Sequence, residues 1–282
     1  MPILISAEDL AARLAAGESG ERTVVLDVRW SLAEPDGTPA YRAGHIPGAV
    51  YVDLDHELAD HDVAGQGRHP LPTEAAFTLA MRRWGLRDGD VVVVMDDLGN
   101  QSSARAWWLL RHAGVVDVRM LDGGLAAWRA AGHPFETGDV VPEPGDATAR
   151  FGAMPMIDID GAASFPATGV LLDARGAPRY RGEVEPIDPR AGHIPGARSA
   201  PSGENLDADG RFKSAEALRE HFASVGVTGG VPVAAYCGSG VTAAHEVAAL
   251  AIAGIDAALF PGSWSQWSND DTRAVAVGPD AG

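Results

Sequence analysis

The 282-residue chain has one cysteine, few aromatic residues and an excess of acidic over basic side chains. A single thiol cannot form an intramolecular disulfide, which predicts a reducing compartment, the cytoplasm. No apolar run reaches the roughly 18 residues of a membrane-spanning helix, and the opening residues do not resemble a signal peptide. With 22 basic and 39 acidic residues, the net charge of −17 disfavours nucleic acid and membranes as partners. An anionic substrate therefore requires a local positive site.

The lone cysteine, Cys237, lies between an apolar run over 231–236, predicted as a strand, and a predicted helix over 241–253. Inward-pointing amides of such a loop, together with the positive end of a helix dipole, favour the thiolate over the thiol. A buried structural cysteine is the common alternative. It does not explain the glycines at 238 and 240, which cost backbone entropy and permit close approach of a ligand. We therefore interpret Cys237 as a reactive nucleophile.

The chain is a tandem duplication. The hexapeptide GHIPGA occurs twice, and three further landmarks recur in the same order: strands ending in Asp-x-Arg, apolar runs, and segments ending in tryptophan. The paired positions are 44–49 and 192–197, 24–29 and 170–175, 91–95 and 231–236, and 121–128 and 260–267. Features that both copies keep are expected to be structural. These include His45 and His193, and Arg29 and Arg175.

Each copy alternates short apolar strands with helical patterns, which is typical of a parallel sheet covered by helices on both faces. The predicted helices cover 7–16, 74–84, 103–113, 214–225 and 241–253. The segment 133–156 is rich in proline, glycine and acidic residues and has no clear period. We predict an α/β fold of two domains, 1–140 and 157–282, joined by a linker over 141–156, with the boundary near 147.

The two copies differ at the cysteine. The equivalent position in the first copy is Asp96 or Asp97, followed by a longer turn. A carboxylate has no comparable use as a nucleophile in this setting. We therefore predict that the first copy is catalytically silent and forms one wall of a cleft against the second.

The duplicated layout, the paired HIPGA segments and the loop CGSGVTA at 237–243 resemble the tandem rhodanese-type sulfurtransferases. The loop is most similar to that of the 3-mercaptopyruvate sulfurtransferases. Thiosulfate-preferring relatives usually carry basic residues at the next two positions, which here are Gly238 and Ser239. The resemblance implies that Cys237 takes sulfur from 3-mercaptopyruvate, a small anionic donor, forms a persulfide and releases pyruvate. The sulfur then passes to cyanide or to a thiol such as thioredoxin, with no metal or organic cofactor.

The resemblance also implies the residues that surround the sulfur. Ser239 is expected to join His69 and Asp55, both from the silent copy, in a proton relay. A loop-capping histidine and an Asx-type turn are the alternative roles of these two residues. The expected persulfide cradle consists of the backbone amides of Gly238, Gly240, Val241 and Thr242. The Thr242 side chain is also expected to cap the helix that follows.

A guanidinium group is expected to bind the carboxylate of the donor through two parallel hydrogen bonds. Arg179 matches an arginine that the family uses for this purpose. The family's second arginine follows a Glu-Pro pair, and here Ile187 stands at that position. Arg190 or Arg181 is expected to compensate.

Three other functions are compatible with a reactive Cys237 to different degrees. A thiosulfate:cyanide sulfurtransferase and a sulfur-carrier module without small-molecule turnover both remain open. A cysteine phosphatase is disfavoured because its loop is one residue longer and ends in an arginine, where this chain has Ala243 and Ala244.

Overall fold

The computed structural model describes residues 1–17 and 21–282. These residues form two compact units, and each unit includes one short segment from the other half of the sequence. The first unit consists of Met1–Asp60, Pro72–Met154 and Ala208–Phe212, and the second of His61–Leu71, Pro155–Asp207 and Lys213–Gly282. The segment His61–Leu71 therefore folds with the copy that carries Cys237.

The first unit is a five-stranded parallel sheet with the strand order β1-β5-β4-β2-β3. Its strands are β1 (Leu4–Ile5), β2 (Thr23–Asp27), β3 (Val50–Tyr51), β4 (Val91–Met95) and β5 (Asp117–Leu121). Its helices are α1 (Ala7–Ala16), α2 (Thr38–Ala43), α3 (Leu54–Glu57), α4 (Glu74–Arg83), α5 (Ser103–His112) and α6 (Gly124–Ala130). Every residue of β4 is buried, as expected for a parallel strand covered on both faces.

The second unit repeats this plan with a four-stranded parallel sheet of order β7-β6-β8-β9. Its strands are β6 (Val170–Asp173), β7 (Arg198–Ser199), β8 (Val233–Tyr236) and β9 (Ala258–Leu259). Its helices are α7 (Ile159–Ser164), α8 (Ala177–Tyr180), α9 (Ala215–Ser224), α10 (Thr242–Ile252) and α11 (Ser263–Trp267). The counterpart of β1 is reduced to one parallel bridge between Met156 and Leu259.

Alternate residues of the strands face different helices, which explains the two hydrophobic layers of each unit. In the first unit, Val93 and Met95 pack with Leu10 of α1 and Trp128 of α6. In the second unit, one face packs against residues of α7 and α11, and α10 covers the other. The α/β fold with two parallel sheets is thus confirmed, and the five predicted helices are present with ends within two residues of prediction.

The shared histidines are structural, as predicted. His45 and His193 are both fully buried. Their Nδ1 atoms lie 2.9 and 2.8 Å from the carbonyl oxygens of Tyr41 and Tyr180, and each imidazole stacks on the ring of the same tyrosine. The histidine of the GHIPGA segment therefore packs and hydrogen-bonds in the same way in both units.

The shared arginines fasten the same segment. The Arg29 guanidinium binds both oxygens of the Asp27 carboxylate, with its shortest hydrogen bonds at 2.9 and 2.8 Å, and Arg175 binds Asp173 in the same way, at 3.0 and 2.6 Å. Each arginine also donates to the carbonyl oxygen of the glycine that opens GHIPGA. These bidentate pairs tie the strand end to the following loop in both units.

In the described part of the chain, no helix combines the length and the apolar character needed to cross a bilayer.

A buried acid in α10 makes stability depend on pH. Glu246 is fully buried, and the Asn205 side chain donates to its Oε2 at 2.7 Å. Burial raises the pKa of Glu246 from 4.5 to about 8. The folded protein therefore keeps this proton over a range in which the unfolded chain has lost it. The stabilising contribution is complete below about pH 4.5 and is lost as the pH rises through about 8.

We predict that Glu246→Gln, which removes this titration, flattens the decline in the free energy of unfolding between about pH 5 and 8. Urea denaturation at a series of pH values measures this slope. The exposed Glu220 of α9 provides the control variant Glu220→Gln, which should leave the slope unchanged. An equal slope in wild type and Glu246→Gln would contradict the assignment.

Candidate active site

The carboxyl ends of β4 and β8 occupy the same place in the two units. In both sheets, the last residue of the strand pairs with the aspartate that ends the neighbouring strand. Asp96 and Cys237 are the next residues along the chain. The Asp96 carbonyl accepts a hydrogen bond from the Leu125 N–H, and the Cys237 carbonyl accepts one from the Trp264 N–H, both at 2.9 Å. Asp96, rather than Asp97, is therefore the counterpart of the cysteine.

The backbone N–H groups of the loop after β4 form a cradle for an anion, and the Asp96 carboxylate of the same loop occupies it. The buried Asp96 carboxylate accepts hydrogen bonds from four backbone N–H groups at 2.8–2.9 Å and from the Ser102 hydroxyl at 3.0 Å. The four N–H groups belong to Leu98, Asn100, Ser102 and Ser103. Converging amides of this kind stabilise negative charge. The first unit thus satisfies its cradle without any ligand.

Cys237 begins the corresponding loop in the second unit. Its Sγ accepts a hydrogen bond from the Gly240 N–H at 3.2 Å, and the residue is 3% exposed. Gly240 has φ +81°, and a Cβ there would lie 2.2 Å from the Pro261 carbonyl oxygen. Only glycine fits this position. The sulfur therefore lies against a backbone donor rather than among aliphatic side chains alone.

Ser263 is hydrogen-bonded to the backbone of the cysteine and was not predicted as a site residue. It has φ 54°. Residues other than glycine adopt this conformation rarely, and the cases that occur cluster at functional sites. Its hydroxyl accepts the Cys237 N–H at 3.1 Å and donates to the Phe260 carbonyl at 2.9 Å. The equivalent residue in the first unit is Gly124, with φ 55°. In the sequence, the signal for Ser263 was that the second copy has a serine where the aligned segment of the first copy has this glycine.

His69 and Ser239 are brought together. The His69 Nδ1 lies 2.8 Å from the Ser239 Oγ, and both residues are buried. The segment that carries His69 is fixed to α11 by hydrogen bonds from the Arg68 N–H to the Ser265 Oγ at 2.9 Å and from the Gln266 side chain to the Gly65 carbonyl at 3.0 Å. This anchoring explains why a segment of the first repeat folds with the second unit.

Two other predicted residues have different outcomes. Asp55 lies in α3 of the first unit, and its part in a relay stays a prediction. Thr242 is the first residue of α10, and the capping position is Val241, which makes no side-chain capping bond. The expectation that the Thr242 side chain caps the helix is wrong. The Val241 side chain is buried.

Two guanidinium groups lie beside the cysteine loop. A Cβ on Gly238 would lie 3.2 Å from the Arg68 Nη2 and 3.5 Å from the Arg179 Nη1. Arg179 donates to Glu185 at 2.6 and 3.2 Å and to Asp188 at 3.3 Å. Burial raises the pKa of the Asp188 carboxyl, and Arg68 opposes part of this effect. The structure thus places Arg179 at the loop and adds Arg68, whose only sequence signal was its place next to His69.

Arg190 has a different environment from the one expected. In the described part of the chain, the hydrogen bonds that its guanidinium donates all go to backbone carbonyls at the end of α11 and in the segment after it, at 2.6–2.8 Å. The acceptors are Trp267, Ser268, Asp270 and Arg273. We therefore assign Arg190 to fastening this segment, in place of the expected substrate contact. Arg181, the other candidate, pairs with the exposed Glu183.

Residues 6–131 and 160–270 both match the family model of the rhodanese-like domain. The chain belongs to this family. A Mycobacterium tuberculosis protein provisionally named thiosulfate sulfurtransferase SseB is 50% identical over 279 residues, which cover 98% of this chain and 97% of the relative. A Pseudomonas aeruginosa protein provisionally named 3-mercaptopyruvate sulfurtransferase is 46% identical over 287 residues, 98% of each chain.

Solved structures agree with this assignment. The crystal structure of SseA from Escherichia coli, described as a 3-mercaptopyruvate sulfotransferase, matches with a TM-score of 0.82 and 34% identity. The match covers 94% of this chain and 100% of SseA. The predicted pair of rhodanese-like domains and the predicted sulfurtransferase enzyme are thereby confirmed. The names of these relatives differ in the sulfur donor.

We predict that Asp96→Ala lowers the free energy of unfolding by about 3 kcal/mol or more, because it leaves buried amide donors without an acceptor. Urea denaturation followed by circular dichroism measures the loss. The neighbouring Asp97 side chain is exposed, so Asp97→Ala should change stability by less than about 1 kcal/mol. Equal effects of the two variants would show that the cradle does not depend on Asp96.

Proposed function

We propose that this rhodanese-like enzyme transfers sulfur from 3-mercaptopyruvate, through a persulfide on Cys237, to a thiol or to cyanide. The observation that carries the donor assignment is the arrangement around Gly238. This residue follows the nucleophile and has no side chain, and the Arg179 Nη1 lies 3.5 Å from the point where its Cβ would be. A guanidinium beside the residue that follows the nucleophile suits a donor that carries both a thiol and a carboxylate.

The first half-reaction forms the persulfide. The Cys237 thiolate attacks the sulfur of 3-mercaptopyruvate, a sulfur–sulfur bond forms and the carbon–sulfur bond breaks. The electron pair of the broken bond goes to the carbon and gives the enolate of pyruvate. The proton of the donor thiol ends on that carbon, so pyruvate leaves and the enzyme keeps a negatively charged persulfide. The cradle amides, including the Gly240 N–H, stabilise this charge.

The second half-reaction returns the enzyme to its starting state. A thiolate or cyanide attacks the outer sulfur, the sulfur–sulfur bond breaks, and the Cys237 thiolate is released together with a new persulfide or thiocyanate. One sulfur atom is thus first a nucleophile and then a carrier, as in other double-displacement reactions. No change of charge is needed beyond the transfer of one proton.

Ser239 and His69 provide a path for that proton. Their contact at 2.8 Å joins a hydroxyl, two residues from the nucleophile, to an imidazole that can accept and return a proton near neutral pH. Asp55 keeps the orienting role that the family resemblance implies. In this proposal the hydroxyl protonates the enolate carbon, the imidazole restores the hydroxyl, and the imidazole in turn takes up the proton of the donor thiol.

Thiosulfate is the second candidate donor, because the 50% identical relative is provisionally named for it. The loop favours the carboxylate donor, since Gly238 and Ser239 provide no basic side chain next to the sulfur. A carrier module without turnover is the remaining alternative. These three possibilities differ in products that can be measured directly.

We predict that incubation with 3-mercaptopyruvate adds one sulfur atom to Cys237 and releases one pyruvate per persulfide, because the carbon–sulfur bond breaks in the same step. Intact-protein mass spectrometry and a pyruvate assay measure both products, with Cys237→Ser as the inactive control. Steady-state kinetics with both donors should give the higher kcat/KM for 3-mercaptopyruvate. A clear preference for thiosulfate would overturn the donor assignment, and sulfur uptake from a protein partner without pyruvate release would favour the carrier module.

We predict that Ser239→Ala and His69→Gln each lower kcat for 3-mercaptopyruvate by about 100-fold or more, because both interrupt one proton path. The double variant should lose little further activity, since residues that act as a unit have non-additive effects. His56→Gln, which changes an exposed histidine of α3, is the matched control. Fully additive losses would contradict a shared path.

A further inference from the structure

We propose that Arg68 is a substrate-binding residue, which forms with Arg179 a two-guanidinium receptor for the carboxylate of the sulfur donor beside Gly238. This inference deepens the function proposed above and rests on it. It also answers how the enzyme manages with an isoleucine at position 187. The second cation comes from the His61–Leu71 segment, which belongs to the first repeat in sequence and to the second unit in the fold.

The two guanidinium groups converge on one point. The Arg68 Nη2 lies 3.2 Å from the position of a Cβ on Gly238, and Arg179 Nη1 and Nη2 lie 3.5 and 3.7 Å from the same position. Gly238 is bonded directly to Cys237. An anionic group held by both arginines therefore lies beside the residue that follows the nucleophile.

Asp188 shows that the pair can share a carboxylate. Its Oδ1 accepts from the Arg68 Nη1 at 2.5 Å, and its Oδ2 accepts from the Arg179 Nη2 at 3.3 Å. The Asp188 side chain is 3% exposed, whereas those of Arg68 and Arg179 are 27% and 20% exposed. The carboxylate thus braces the buried side of the pair and leaves the arginines accessible from the other side.

The N–H groups that face Gly238 remain available. Within the described residues, neither the Arg68 Nη2 nor the Arg179 Nη1 donates a hydrogen bond to the protein. The other candidates are committed elsewhere, since Arg190 binds four carbonyls and Arg181 pairs with Glu183. Two preoriented guanidinium edges suit the two oxygens of one carboxylate.

Arg68 is also coupled to the proton path by its position. It precedes His69, and its own N–H is anchored on the Ser265 hydroxyl at 2.9 Å. One short segment therefore positions both a cation for the carboxylate and an imidazole for the proton. The alternative is that Arg68 only braces Asp188, and the two roles predict different responses to the charge of the donor.

The experiment uses the full-length chain and the variants Arg68→Met and Arg68→Lys, with Arg181→Met as the matched control. Binding of pyruvate, measured by ligand-observed NMR, probes the carboxylate receptor without catalysis. The ratio of kcat/KM for 3-mercaptopyruvate to that for mercaptoacetone, which has the same thiol and ketone but no carboxylate, isolates recognition of the carboxylate during turnover.

We expect Arg68→Met to weaken pyruvate binding by about 10-fold to 100-fold, and to lower the donor ratio by a similar factor through KM. Arg68→Lys, which keeps the charge without the planar edge, should lie between Met and wild type. Arg181→Met should match wild type. Unchanged pyruvate binding in Arg68→Met, or equal losses with the charged and the neutral donor, would overturn the proposal. Wild-type enzyme that releases no pyruvate from 3-mercaptopyruvate would instead refute the proposed function, and pyruvate binding would still decide the role of Arg68.

Discussion

The site depends on one constraint, which is that a parallel strand running directly into a tight loop and a helix leaves backbone N–H groups pointing at a common place. Those donors need a negatively charged or electron-rich acceptor. The first unit supplies it permanently with the Asp96 carboxylate, which receives four amides and one hydroxyl. The second unit supplies the Cys237 sulfur. A sulfur atom can leave this role, carry a second sulfur and return, which a carboxylate cannot do.

Both copies keep the same scaffold, and the single cysteine of the chain lies in the second. The bidentate Asp–Arg pairs and the buried histidines stacked on tyrosines recur with nearly equal distances in both units. They hold the strand end and the following loop in both units, although one unit has Asp96 and the other Cys237 at the start of the loop after the neighbouring strand. Three differences between the units lie at and around the loop. These are Asp96 against Cys237, Gly124 against Ser263, and the longer turn after β4 against the short loop after β8.

Local patterns predicted five of the helices, the strands β2, β4, β6 and β8, and the loop that carries Cys237, because apolar periodicity and the strand–loop–glycine order act over a few residues. The helix cap at Thr242 was missed by one position, which periodicity does not resolve. Arg68 was not singled out from the sequence, and Arg190 was expected to contact the substrate, for a different reason. Sequence shows that an arginine is present but not which acceptors surround it, and Arg190 meets four carbonyls where Arg68 meets a carboxylate and an open loop. The anchoring of His61–Leu71 on α11 is a long-range contact with no local signature.

In the proposed function, recognition of an anionic donor by a protein with a net charge of −17 must be local, because the overall field opposes it. In this proposal the acidic residues near the loop support recognition rather than weakening it. Glu185 and Asp188 are nearly fully buried and bind one edge of each guanidinium, so the remaining edges keep a fixed orientation and need little reorganisation when a donor arrives. Gly238 completes the arrangement, since any side chain there would meet the nitrogens of Arg68 and Arg179. A basic residue at this position would repel both arginines. A loop whose neighbouring cations come from other segments of the chain therefore favours a residue without positive charge at this position.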